Sequence, residues 1–100
     1  MMALEIIYRF GTFELEGNFT KENAPVVKEK FNRALDQYAE VIMCLKKVTQ
    51  VDTTAIDVLK AIYKKADKRS KVLFMLGKDN QCINQVFERT QTTHLFRNDY

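Results

Sequence analysis

Three sets of residues in this chain are of types that could do chemistry: the hydroxyls of Thr53 and Thr54 behind Asp52, the thiols of Cys44 and Cys82, and the single imidazole of His94. Val51-Asp52-Thr53-Thr54-Ala55-Ile56 stands where a connection leaving an apolar segment turns into a helix. Asp and Thr are common helix caps, and spacing alone reads the cluster that way. The same position also suits a phosphate acceptor, because free N–H groups and the positive end of a helix dipole stabilise an added dianion. Cys44 falls in an apolar run and Cys82 on a predicted helix, so both read as buried, reduced thiols. A nucleophilic Cys44 would need a base beside it, and the only histidine lies in the C-terminal tail. His94 has no Cys or His at metal-ligand spacing and reads as a polar residue near the chain end. No catalytic residue, cofactor or metal is expected.

The elements that must position these groups follow from periodicity. Ala3–Phe10 is apolar and β-branched, and Gly11 breaks it. Thr12–Glu16 then alternates, with Phe13 and Leu15 against Glu14 and Glu16, predicting two strands joined by a tight turn at Phe10-Gly11. Asn18–Glu22 is polar and reads as a loop. Asn23-Ala24-Pro25 predicts a helix start with a cap and a first-turn proline. Val27, Phe31, Ala34, Leu35 and Tyr38 form the apolar stripe behind it. Val41–Leu45 is apolar without alternation, the pattern of a central strand buried on both faces. Lys46–Val51 reads as a connection.

The next helix runs from the Asp52-Thr53-Thr54 cluster to about Lys68 and buries Ile56, Leu59, Ile62, Tyr63 and Ala66. Lys71–Leu76 is a second fully apolar strand closed by Gly77, expected beside Val41–Leu45 in the sheet interior. Asp79 or Asn80 can cap a third helix that turns Ile83, Val86 and Phe87 inward, and Leu95 and Phe96 read as a terminal apolar clasp. The order β-β-α-β-α-β-α predicts one α/β domain over 1–100, with a mixed, mostly parallel sheet, helices packed against it and right-handed crossovers.

Composition narrows the function classes. One hundred residues make one domain, and 46% hydrophobic content is that of a globular chain. The longest apolar runs are five residues, against about twenty for a membrane span. The N-terminus carries an acid in its apolar stretch and no basic region before it, so a cytoplasmic location is the expectation. A net charge of +3 favours no polyanion. The basic stripe Lys60, Lys64, Lys65, Lys68, Arg69 and Lys71 lacks interleaved aromatics for stacking bases, and reads as a solvated helix face rather than a nucleic-acid surface. Phe19, an aromatic in a polar stretch, is either an anchor for a partner or a residue tucked back onto the core.

Val51-Asp52-Thr53-Thr54-Ala55-Ile56-Asp57-Val58-Leu59 is similar to the Asp-Ser-Ser-Gly-Leu-Gly-Val-Leu signature of bacterial anti-sigma-factor antagonists, the STAS family. Leu15-Glu16-Gly17 followed by Asn23-Ala24-Pro25-Val26-Val27-Lys28 resembles that family's Leu-x-Gly, acidic loop and Ala-x-x-Leu-Lys segment. Lys71–Leu76 and Thr93-His94-Leu95-Phe96 resemble its last strand and its Leu-Phe close. The resemblance spans nearly the whole chain in order.

It implies a STAS domain acting by partner switching. The unphosphorylated domain would bind an anti-sigma factor that is also a serine/threonine kinase, phosphorylation would abolish that binding, and a phosphatase would restore it. By motif position Thr53 would be the phosphoacceptor. Asn18, Phe19, Thr20, Asp52, Thr53, Thr54 and Ala55 would form the partner surface, since the resemblance places both loops at one end of the sheet.

Three positions depart from the family pattern: Thr53 replaces Ser, Ala55 replaces Gly, and Thr20 stands where the loop acid is found. The altered motif is also similar to non-switching members, giving the alternative of a stressosome-like scaffold or a lipid-transport accessory subunit. An enzyme or receiver domain is disfavoured, because Glu14 and Glu16 alternate with apolar residues and build no acidic cluster.

Overall fold

Alternation along Thr12–Glu16 does not stop there: Gly17 and Phe19 keep the parity of Phe13 and Leu15, and strand geometry follows that parity. In the computed structural model, which describes residues 4–96, β1 (Leu4–Arg9) and β2 (Thr12–Phe19) form an antiparallel hairpin with Leu4 opposite Gly17 and Arg9 opposite Thr12. The expected strand start at Ala3 lies outside the described residues. Asn18 and Phe19, expected in a loop, end β2 instead. At the hairpin tip Phe10 and Gly11 have φ of 52° and 78°. Positive φ at both central residues is the type I′ turn, whose twist matches that of the flanking strands.

Helix α1 (Ala24–Gln37) carries Pro25 in its first turn and buries Val27, Phe31, Ala34 and Leu35. Tyr38, expected on this stripe, takes an extended backbone at the helix end and is 45% exposed. Strand β3 (Glu40–Val51) runs through the segment expected as a connection. It continues because β2 is longer than expected and pairs with it out to Phe19 opposite Val51, with register shifts absorbing the irregular stretch.

The Asn80 side-chain amide secures that irregularity. It donates to the carbonyls of Leu45 at 2.8 Å and Val48 at 2.7 Å, and its Oδ1 accepts from the Cys82 N–H as the cap of α3 (Gln81–Arg89). Helix α2 (Thr53–Lys68) buries Ala55, Ile56, Leu59, Ile62 and Ala66. Tyr63, expected in that set, is only part-buried. Strand β4 (Val72–Leu76) ends at Gly77. A short 3-10 turn, Thr93–Phe96, closes the described chain, with Phe96 packed 4.6 Å from Phe87.

The sheet order is β1-β2-β3-β4, with β2, β3 and β4 parallel. The α/β class and the β-β-α-β-α-β-α order are as expected, and β3 and β4 are parallel neighbours. β4, however, lies at the sheet edge rather than in its interior.

Burial on both faces is also corrected. One core joins the helices to Phe13, Leu15, Val41, Met43, Leu45, Leu73 and Met75. The alternate residues Ile42, Cys44, Phe74 and Leu76 are half-buried and stand apart from that core, and Val72 is 42% exposed. The helices therefore cover one face only. Cys44 lies on the uncovered face and Cys82 is exposed on α3, so neither is the fully buried thiol the sequence suggests.

Candidate functional site

Because β2 and β3 are parallel and Phe19 pairs with Val51, the chain leaves both strands side by side and enters two helix N-termini at one end of the sheet. Asp52 joins the two exits. Its Oδ1 accepts from the Ala55 N–H at 2.9 Å, capping α2, and its Oδ2 accepts from the Lys21 N–H of the other loop at 2.9 Å. The cap of α2 is thus Asp52. Thr54, a hydroxyl expected to share in capping, is exposed on the second helical position.

The loop after β2 is held by its own side chains. Asn23 accepts from the Thr20 N–H at 3.0 Å and donates from Nδ2 to the Asn18 carbonyl at 2.8 Å. It turns back to brace the loop instead of making a side-chain cap for α1. Thr20 Oγ1 donates to Glu22 at 2.7 Å, and this hydrogen bond holds the Glu22 carboxyl below the usual carboxylate range. Thr49 Oγ1 donates to Asn18 Oδ1 at 2.7 Å, tying the end of β2 to β3. The result is a shallow depression of about 350 Å³ whose walls include Asn18, Thr20, Glu22, Gln50 and Asp52.

Of the residues expected in the site, the structure brings Asn18, Thr20 and Asp52 together, and places Thr53 and Thr54 exposed in the first turn of the helix that Asp52 caps. Within a helix the first-turn N–H groups lack partners. Asp52 takes that of Ala55, which leaves those of Thr53 and Thr54 available to an anion. Phe19 and Ala55 are corrected: both are fully buried, so neither presents its side chain to a partner. Phe19 is the core residue of the two readings its sequence allowed. Sequence reasoning missed Gln50, read Asn23 only as a helix cap, and had Lys21 only as part of the Asn18–Glu22 loop. Lys21 and Asn23 were signalled by position between an alternating strand and a proline-marked helix, whereas Gln50, near the end of β3, carried no such signal.

The basic stripe is partly structural. Lys65 Nζ donates to the Asn32 carbonyl at 3.1 Å and pairs with Asp36 at 3.1 Å, while Arg69 reaches Asp36 at 3.3 Å. The Lys65 hydrogen bond lowers the Asp36 pKa, and these contacts link α1 to α2. Among the described residues no group of three His, Cys, Asp or Glu side chains could hold a metal ion, and no helix is long and apolar enough to cross a membrane.

A family model for the STAS domain matches residues 1–98. The chain belongs to the STAS family. Solved structures agree on the fold of this STAS domain. An anti-sigma factor antagonist from Mycobacterium paratuberculosis superposes with a TM-score of 0.75 at 15% identity, covering 100% of this chain and 86% of that one. A putative anti-sigma factor antagonist from Thermotoga maritima gives 0.72 at 18% identity, over 91% of this chain and 80% of that one. The Bacillus cell-fate determinant SpoIIAA in its phosphorylated form gives 0.63 at 13% identity, over 95% and 87%. None of the curated proteins matches the sequence significantly.

Proposed function

We propose that this STAS domain is a regulatory protein-binding module, an anti-sigma-factor antagonist whose partner binding is controlled by phosphorylation of Thr53. Its partners are an anti-sigma factor that doubles as a serine/threonine kinase and a phosphatase that resets the switch, in the cytoplasm; it acts by binding, not by catalysis. The observation that carries the reading is the exposed Thr53 hydroxyl on the first residue of α2, one residue from the Asp52 carboxylate that fastens both loops together. The phosphorylated SpoIIAA structure, similar in fold, adds support from a neighbour.

The electrostatics give the switch its direction. A phosphate adds about −1.5 to −2 charges at neutral pH. Unpaired helix N–H groups can receive it within the free domain. In an interface the same charge beside Asp52 must lose its water without a matching cation, so affinity falls. Incubation with the cognate kinase and ATP, read by mass spectrometry, should place one phosphate on Thr53. Thr53→Ala should bind constitutively and resist labelling, Thr53→Glu should bind weakly, and Thr54→Ala should still be labelled. Phosphate on Thr54, or on neither residue, would overturn the switch and leave a constitutive scaffold or accessory subunit.

A further inference from the structure

In the sheet order β1-β2-β3-β4, no strand among the described residues pairs with the outer side of β1. At the other edge, the Thr93–Phe96 turn lies against β4. Unpaired edges invite another strand, and chains blunt them with charge, proline, bulges or shortness. Of these devices β1 has only charge: Leu4–Arg9 contains no proline and pairs with β2 in unbroken register over six residues. Its acid, Glu5, and its base, Arg9, are exposed on the face the helices leave bare, with Ile7 between them.

Neither charge is matched within the described residues. Glu5 stands directly opposite Glu16 of β2, an unfavourable like-charge pair, and Lys47 reaches Glu16 at 3.9 Å rather than Glu5. Arg9 stands opposite Thr12 and borders a depression shared with Glu14, Lys46 and Lys47 without forming an ion pair there.

Backbone geometry limits how a second strand can add. Arg9 and Thr12 flank a two-residue turn, so they bond to each other, as do Ile7 with Glu14 and Glu5 with Glu16. The N–H and C=O groups of Leu4, Ile6 and Tyr8 therefore point outward. The rings of Tyr8 and Phe13, 4.7 Å apart, fit the close spacing of a non-hydrogen-bonded pair. A closed antiparallel pair of identical strands has a two-fold axis, so one residue must face its own copy. With Ile7 in that place, Ile6 meets the other copy's Tyr8 and exchanges hydrogen bonds with it, twice over by symmetry. Glu5 then meets the other copy's Arg9, also twice, at non-hydrogen-bonded positions where side chains lie closest. Centring on Ile6 would leave Glu5 against Ile7, and centring on Tyr8 would set Arg9 against Ile7. One register matches both charges.

We propose that β1 pairs antiparallel with β1 of a second copy of this chain, Ile7 opposite Ile7 and Glu5 opposite Arg9, joining the two sheets into one. Tyr8, 56% exposed in the single chain, gains the other copy's Ile6 as a neighbour. The contact stands whether or not Thr53 is phosphorylated.

Sedimentation of the full chain at rising concentration should show a monomer–dimer equilibrium, weak because one strand pair is a small interface. In a dimer mixed from isotope-labelled and unlabelled chains, intermolecular contacts should join Ile7 Hα to Ile7 Hα and Glu5 Hα to Arg9 Hα. Glu5→Arg and Arg9→Glu should each weaken self-association about tenfold or more, since two opposite-charge pairs become two like-charge pairs. Mixed together, those two variants should pair as the parent does, a rescue that loss of fold cannot produce. A chain that stays monomeric at millimolar concentration overturns the proposal. So do species larger than a dimer, intermolecular contacts at another register or surface, and charge variants that self-associate like the parent or fail to pair with each other.

Discussion

Asp52 uses its two oxygens on two different segments, and the consequences of removing it can be separated. Asp52→Ala should lose the cap, costing about 1 kcal/mol, and also release the Lys21 loop. Asp52→Asn should retain most of the cap, since one amide oxygen can still accept from the Ala55 N–H, but it has no second acceptor for Lys21. Denaturant melts report the first effect, and faster hydrogen exchange at the Lys21 amide reports the second. If both variants lose stability equally and Lys21 exchange stays slow, the bridge is not what holds the loop. The Asp52-Thr53-Thr54 cluster was legible as a helix start because capping is local chemistry. The Lys21 contact was not, because it joins residues 31 apart in sequence and depends on which strands pair. Phe19 was ambiguous for a related reason: its polar neighbours suggested a loop, while its parity with Phe13 and Leu15 pointed to the core.

At the scale of elements, the hairpin carries a misfit. Phe10 holds φ 52° while 97% exposed, so it bears the steric cost of the left-handed region with almost no burial to offset it. Asn is favoured at that turn position, and Phe10→Asn should stabilise the domain by about 1 kcal/mol; a thermal melt at or below that of the parent would refute this. The α1–α2 contact depends on pH. Asp36 has its folded pKa lowered by Lys65, so its contribution is fully present above the ordinary aspartate value and fades as pH falls through the lower folded value. Asp36→Asn should therefore flatten the acid limb of the stability profile and leave its slope near neutrality unchanged, measured as urea midpoints along a pH series. Helices were legible because their buried residues recur at helical spacing over several turns. Strand lengths were less so. β3 continues through Lys46–Val51 only because β2 pairs with it and Asn80 secures its carbonyls, both long-range facts.

For the whole molecule, the sequence pattern distinguished a parallel α/β domain from other classes but could not say how many faces of its sheet the chain would cover. A continuous apolar run marks a strand that wants both faces covered, whoever supplies the cover. Handedness explains why this chain supplies one layer. Strands β2, β3 and β4 are laid down successively in one direction, and crossovers of a single hand between strands added in one direction fall on the same side of the sheet. Reversing direction is what places helices on both sides of a doubly wound sheet, and this sheet never reverses. The two faces should then differ sharply in stability. Phe31 is fully buried beneath α1, with its ring 5.2 Å from that of Phe13, and Phe31→Ala should cost roughly 3–5 kcal/mol. Phe74 is part-buried on the uncovered face and stands apart from the core, so Phe74→Ala should cost less by about 2 kcal/mol or more in the isolated domain. Equal losses in denaturant melts would mean that the second face is already covered within the chain, and the one-layer architecture would fail with it.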